Sequence, residues 1–178
     1  MEPLASLSLA AWGNIAQIVI AGASVSALFG AVTQIAVTRA NARRARAYDY
    51  ADRFNQPEII SLTARYTDYW DKHSFEDFSA LSRQTRSKLL VIPNLIEEVA
   101  AAYNRNLIDR NVAAQMLGLL AEAMWERSRP LVEGTRKERD KWIYAEWEEM
   151  QKDTLQRRMA ARRKTERRIA RRRLLRRV

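Results

Sequence analysis

The sequence contains no cysteine. That excludes a disulfide frame, a thiol nucleophile and a thiolate metal site, without fixing a redox compartment. It contains one histidine, His73, in the loop-like stretch DKHSFED. A His-rich metal site, the two-histidine zinc-protease motif and the Glu-x-x-His di-iron pair all require more. A Ser–His–Asp triad would have only His73 to use, and no Gly-x-Ser-x-Gly elbow is present. Glycine and proline are scarce, at five and four. Beyond residue 30 only Gly118 and Gly134 remain, too few for a glycine-rich phosphate cradle. No long stretch alternates with period two, and no Asn-Gly hairpin pair occurs. Carboxylates do cluster, at Asp68 and Asp71, Glu97 and Glu98, and Glu146, Glu148 and Glu149. Adjacent residues such as Glu97 and Glu98 point about 100° apart on a helix and cannot face one site together. These absences point to a non-enzymatic, all-α protein with no cofactor and no metal. The abundance of Ala, Leu, Arg and Glu favours helix.

A second absence is local. Between Pro3 and Thr38 there is no charged side chain. Residues 14 to 37 exceed the roughly 20 apolar residues that a helix needs to cross about 30 Å of hydrocarbon. A helix is the spanning form that satisfies its own backbone in lipid. A cleaved signal peptide would open on a basic region and carry a shorter apolar run. An interfacial helix would carry a charged face. A buried core helix remains compatible with Gln17, Ser24, Ser26, Thr33 and Gln34, which make the run only moderately apolar. The expectation is one transmembrane span, with Trp12 as an outer aromatic anchor. Arg39, Arg43, Arg44 and Arg46 follow it with no acid until Asp49, whereas the N-terminal flank carries no basic side chain. The positive-inside rule then puts the N-terminus outside the inner (cytoplasmic) membrane and the rest in the cytoplasm. Gly22, Ser26 and Gly30 recur every four residues. Such a stripe suits close helix–helix packing, in a homo-oligomer or a membrane-protein complex. These residue types are also common in membrane helices generally, so the stripe reads equally as composition.

The sequence divides into a transmembrane segment with its flank (1–38), a basic juxtamembrane segment (39–46), a helical domain (47–153) and a polybasic tail (154–178). The span continues as helix to about Phe54, and Asn55-Gln56-Pro57 starts a new helix with proline in its first turn. Leu62, Tyr66 and Tyr69 share a face of that helix. Ser74 with Asp77, Ser79, and Asp109 are candidate caps. Pro93 kinks or restarts a helix whose face carries Ile92, Ile96, Val99 and Tyr103. Met116, Leu120 and Met124 mark the face of the next helix, and Pro130 kinks or ends it. The last element then starts near Leu131, with Ile143, Trp147 and Met150 as its final apolar seam. The aromatics Tyr66, Trp70, Phe75, Phe78, Trp125, Trp142 and Trp147 are expected in the core of a small antiparallel bundle, which carries a long basic C-terminal helix or tail.

The stretch IPNLIEEVAAAYNRNLID, then Trp125, Arg129–Pro130 and Arg136, resembles a family of small bacterial single-pass membrane proteins with a helical cytoplasmic domain of unknown function. Asn94, Glu97, Leu107, Ile108, Asp109, Trp125 and Arg136 carry the resemblance over about residues 10–150. Asn106 stands where the family usually has glycine. The resemblance implies the architecture and no reaction.

The tail lies outside it. Residues 157–178 hold twelve basic residues, Arg157, Arg158, Arg162, Arg163, Lys164, Arg167, Arg168, Arg171, Arg172, Arg173, Arg176 and Arg177, against one acid, Glu166. Residues 1–156 hold the other 19 basic and 20 acidic residues, a net of −1, so a near-neutral body carries a cationic extension. Arginine's planar fork suits phosphate. Lipid headgroups, nucleic acid and acidic proteins all offer anions. The tail has no aromatic residue, which removes the stacking mode of single-strand binding. Phosphate contact with structured RNA stays open. Anionic lipid is the source that a membrane-tethered chain always has within reach. The expectation is therefore a membrane accessory or anchoring protein with a docking domain, the tail meeting anionic lipid or an acidic protein. The second reading is a membrane-tethered RNA- or ribosome-binding adaptor.

Overall fold

A computed structural model of the chain describes residues 9–175. These residues are helical throughout apart from short turns, with no strand among them. The helices are α1 (Leu9–Phe54), α2 (Pro57–Trp70), α3 (Phe75–Ala80), α4 (Arg83–Leu89), α5 (Val91–Asn104), α6 (Arg110–Glu138) and α7 (Ala145–Leu175). The chain divides into two compact units, Met1–Ala42 and Arg43–Val178.

The first unit is the apolar part of α1. It is long and apolar enough to cross a membrane, and no side chain of its most apolar window is buried in this chain. A core helix of a soluble fold would bury that window. Large apolar side chains such as Val25, Leu28 and Phe29 stand exposed instead. The hydroxyls of Ser24, Ser26 and Thr33 donate to the carbonyls of Ile20, Gly22 and Phe29, four residues back, at 2.8–2.9 Å. The helix thus satisfies these hydroxyls within itself. Trp12, the expected outer anchor, has its side chain outside the described ones.

The second unit opens with the end of α1, which buries Ala47, Ala51 and Phe54. Asn55 and Gln56 end it, and Pro57 opens α2 as expected, because a first-turn proline loses no helix hydrogen bond. Tyr66 and Trp70 are buried on α2, with Leu62 and Tyr69 packed at the margin. Ser74 and Asp77 form a reciprocal capping box at the start of α3. Ser82, not Ser79, caps α4. Pro93 sits in the first turn of α5, where it restarts a helix rather than kinking one. The expected face of α5 is buried in full: Ile92, Ile96, Val99 and Tyr103.

Helix α5 ends in a Schellman motif. Leu107 N–H reaches the Ala102 carbonyl at 2.9 Å and Asn106 N–H the Tyr103 carbonyl at 3.0 Å, with Asn106 left-handed at φ 57°. That backbone explains both the glycine usual in the resembling family and the asparagine here, the side chain that best tolerates this conformation after glycine. The Arg110 guanidinium donates to the Tyr103 and Asn104 carbonyls at 3.0 and 2.6 Å, satisfying more of the helix end. Asp109 accepts from the Asn111 and Val112 N–H groups and caps α6, as expected.

Three expectations fail. Of the two outcomes expected at Pro130, a kink or an end, the end does not occur: α6 runs through it to Glu138. Pro130 and Glu126, whose carbonyl the proline leaves without its helix partner, both lie on the exposed side, where that carbonyl is open to solvent. The last helix therefore starts at Ala145, not near Leu131. The buried face of α6 is set by Ala113, Leu117, Ala121 and Met124, while Met116 is exposed. Trp142 is 68% exposed in the α6–α7 turn, with the Lys141 ammonium over its ring, and Phe75 is only half-buried. The other expected core aromatics are buried.

The left-handed turn sets the first prediction. Asn106→Gly should keep or raise the melting temperature. Asn106→Val should cost about 1–2 kcal/mol, the penalty of a branched residue in that region. Circular dichroism melts in nonionic detergent read both.

Candidate functional site

Helix α7 carries most of the basic residues that the sequence singles out, and its position rests on an unusual start. The residue preceding it, Tyr144, is left-handed at φ 59°. An aromatic side chain in that conformation cannot fold back to cap its own helix. The cap comes from α5. The Glu97 carboxylate accepts the Glu146 and Trp147 N–H groups at 3.3 and 2.8 Å, the second and third amides of α7. Glu98, its neighbour, points elsewhere and meets Tyr50 and Arg53. Asn94 Oδ1 accepts the Tyr144 hydroxyl at 3.2 Å. From α6, Arg136 donates to the Ile143 carbonyl and to Glu148, both at 2.9 Å. Trp147 is fully buried, donates Nε1–H to the Ala121 carbonyl at 3.1 Å and meets Trp125 edge-on at 5.4 Å. Asn94, Glu97, Asp109, Trp125 and Arg136, which carry the family resemblance, are thus spent on helix ends and on the seat of α7.

Further along α7, Tyr103 donates to Asp153 at 2.5 Å, and Asp153 also accepts from Arg157 at 2.8 Å. The Tyr144, Trp147 and Asp153 contacts to α5 each span 50 or 49–50 residues of sequence, so α5 and α7 run in the same direction. Between them α6 runs opposite, and Arg158 pairs with Glu122 on it.

Electrostatics follow the contacts. Burial pushes the Glu97 carboxyl above its usual range, against the pull of the two amides it accepts. Lys152 and then Arg136 hold Glu148 below its usual range. Burial works against Asp109 and Asp153, yet amides and Arg44 keep the first low, and Tyr103 with Arg157 keeps the second low.

The expected anion-binding residues therefore divide. Arg157 and Arg158 are half-buried and committed to Asp153, Asn111 and Glu122. Arg162 pairs with Glu166 on the helix surface. Arg163, Lys164, Arg167 and Arg168 are exposed and make no ion pair among the described residues. Arg171, Arg172 and Arg173 belong to the helical backbone, their side chains lying outside the described ones, and Arg176 and Arg177 lie outside the described residues altogether. The helical register sets Arg163, Arg167 and Arg171 in one column of four-residue spacing and Lys164, Arg168 and Arg172 in the next. In the sequence alone the twelve basic residues of the tail are alike, and nothing there separates these columns from the arginines used by the body.

Among the residues expected to orient the span, Arg39, Arg44 and Arg46 are exposed and Arg43 is half-buried. Arg44 pairs with Asp109 at 3.3 Å, and the Arg43 carbonyl accepts the Asp109 N–H at 3.1 Å. Gly22, Ser26 and Gly30 are exposed, with no atom within 4 Å of where a Cβ on either glycine would stand. His73 is exposed, donates Nδ1–H to the Tyr69 carbonyl at 2.9 Å and stacks on the Tyr69 ring. Among the described residues, no group of three or more His, Asp or Glu side chains is placed to hold a metal ion.

Residues 17–154 match the family described as Domain of unknown function (DUF4760). No curated protein and no solved structure matches the chain.

Two predictions follow from the seat of α7. Glu97→Ala should cost about 1–2 kcal/mol through the lost cap, and Glu97→Gln less, since an amide oxygen still accepts. Melting temperatures in nonionic detergent rank them. Acid should act through Glu148, Asp109 and Asp153. Each folded value lies below that group's own ordinary one, so the stabilisation is complete above the ordinary value and is lost as pH falls through the folded one. Glu97 has the opposite sign: its contribution is present below 4.5 and lost as pH rises through its raised value. Glu97→Gln should therefore lack the decline expected of wild type as pH rises through the raised Glu97 value, and keep the acid limb.

Proposed function

The chain belongs to the DUF4760 family, and from that premise we propose that it is a non-enzymatic, single-pass membrane protein that anchors a helical docking domain. Its N-terminus lies outside the inner membrane, and the C-terminal half of α7 holds an anionic lipid surface on the cytoplasmic side. The observation that carries this reading is the pairing, in one chain, of an unburied helix of membrane-spanning length with the exposed Arg163, Lys164, Arg167 and Arg168, which make no ion pair among the described residues. Like charges at four-residue spacing destabilise an isolated helix by roughly 0.2–0.5 kcal/mol per pair. An anionic surface reverses that sign, and each basic residue near it contributes about 1 kcal/mol, fading within a Debye length. The absence of a flat apolar face on this part of α7 fits a surface contact through charge rather than insertion. The stripe Gly22, Ser26 and Gly30 is the face through which a second membrane helix would pack.

The test has two parts. Full-length protein should stay with the membrane pellet after an alkaline wash, while the unit from Arg43 onward should be released. That released unit should float with vesicles containing anionic lipid, not with zwitterionic ones, and added salt should strip it off. Ending the chain after Met159, which keeps Arg157 and Arg158 in the body, should abolish flotation without lowering the melting temperature by more than a degree or so. Full-length protein left in the supernatant refutes the anchor. Flotation that is unchanged by the truncation, alongside lost salt-sensitive RNA retention, would transfer the tail to the RNA-adaptor reading.

A further inference from the structure

A second cationic feature lies on the body, away from α7's basic columns. Between α3, α4, the end of α6 and the α6–α7 turn is a cleft of about 620 Å³. Its size is that of a small-molecule site. Arg83, Arg86 and Arg139 line it, and none of the three guanidinium groups has a hydrogen-bond or ion-pair partner among the described residues. Arg83 and Arg86 are three apart on α4 and so share a face. Glu138 is the one acidic side chain lining the cleft, which leaves it a net charge of +2. The floor is apolar and aromatic, from Phe75, Phe78, Leu131 and Tyr144.

Local sequence explains why the cleft exists. Phe75 rests against α6 at Gly134, where an added Cβ would stand 2.2 Å from the ring. Any larger residue would push α3 off α6. On the opposite side Tyr144 is the left-handed residue tied to Asn94, which also lines the cleft. A bulky residue held in that conformation marks a place where the surroundings over-determine the backbone. Tyr144 is buried, and burial with the nearby Glu97 charge pushes its hydroxyl up to about 12, so it stays a neutral donor.

We propose that this cleft binds a phosphomonoester whose organic part is apolar or aromatic. Arginine forks match phosphate oxygens in pairs. A phosphomonoester carries close to two negative charges at neutral pH and balances the site's +2, which a single carboxylate would leave half-compensated. The apolar floor takes the organic part, so phosphate alone is the weaker ligand. This inference does not depend on the membrane reading of α1 and α7.

Calorimetric titration of full-length protein in nonionic detergent tests it with three probes: inorganic phosphate, phenyl phosphate and short-chain phosphatidic acid. Phenyl phosphate should bind at least about tenfold more tightly than inorganic phosphate. Arg83→Gln with Arg86→Gln should weaken it by about tenfold or more, the loss of charged hydrogen bonds. Neither arginine has a partner to lose, so the melting temperature without ligand should hold. A control with Arg163, Arg167 and Arg168 changed to Gln should bind phenyl phosphate as wild type does. Phosphatidic acid binding that follows the cleft variant assigns a lipid source to the same site, whereas binding of phenyl phosphate alone assigns a soluble one. The proposal is overturned by absence of phenyl phosphate binding, or by binding that the α7 control abolishes and the cleft variant leaves intact.

Discussion

The start of α7 is buried against α5 and α6, and a buried helix start leaves amide groups that must find acceptors. In this chain the residue before the helix cannot supply one, because Tyr144 is aromatic and left-handed. The acceptor is Glu97, reaching across from α5 to two consecutive amides. Everything downstream in α7 inherits its direction from that contact. Trp147 goes to the centre of the core, Asp153 to Tyr103, and Arg157 and Arg158 to the flanks of α6. The carboxylate is held above its ordinary pKa by burial, so the contact works against a desolvation cost. That cost is offset because the alternative is two unsatisfied amides in the same dry place.

The same contact accounts for the residues through which the chain resembles its family. An Asn followed by Glu, a turn ending in Asp, a Trp and an Arg look at first like the parts of a site. Here Asn94 takes the Tyr144 hydroxyl, Glu97 caps α7, Asp109 caps α6, Trp125 lies against Trp147, and Arg136 binds the Ile143 carbonyl and Glu148. Asn94, Glu97, Asp109 and Arg136 each satisfy a polar group at or near a helix end, and Trp125 packs against the residue seated there. A spaced polar motif in an all-helical domain can therefore record how helices are joined, with no reaction attached.

What sequence made legible follows from this. Local signals worked: the proline opening α2, the Ser74–Asp77 box, the Asp109 cap and the three- and four-residue spacing on α5 all act through neighbours within a turn. The α6–α7 boundary did not, because it is made by side chains up to 50 residues away. The segment from Arg139 to Tyr144 carries no glycine or proline, while Pro130, the residue that suggested a break, faces solvent inside a continuous helix. Trp142 illustrates the same limit. Its place in an aromatic-rich sequence suggested core, yet it sits on the turn that Arg136 and Glu97 hold down. The arginine-lined cleft is not legible in the sequence for a further reason. Arg83, Arg86 and Arg139 are ordinary surface arginines in sequence, and only the folding of α4 onto the end of α6 brings them to one opening.

Charge in this chain is thus of three kinds. Some arginines are structural, compensated by partners in the body; Arg44, Arg136, Arg157 and Arg158 belong here. Some are gathered without partners around an apolar floor, as at Arg83, Arg86 and Arg139. A third set forms columns by helical register along the C-terminal part of α7. Net charge cannot distinguish these groups, because an arginine beside a carboxylate and one beside another arginine count alike. Their consequences differ. A compensated arginine has its charge partly met within the chain and gains less from a solution anion. An uncompensated one costs self-repulsion until an anion arrives, and that repulsion is the free energy an anionic partner releases on binding. The basic columns and the cleft differ in turn by geometry. A column on an exposed helix meets an extended surface at many weak points and is screened by salt, whereas a cleft with an apolar floor discriminates by the shape of what carries the phosphate.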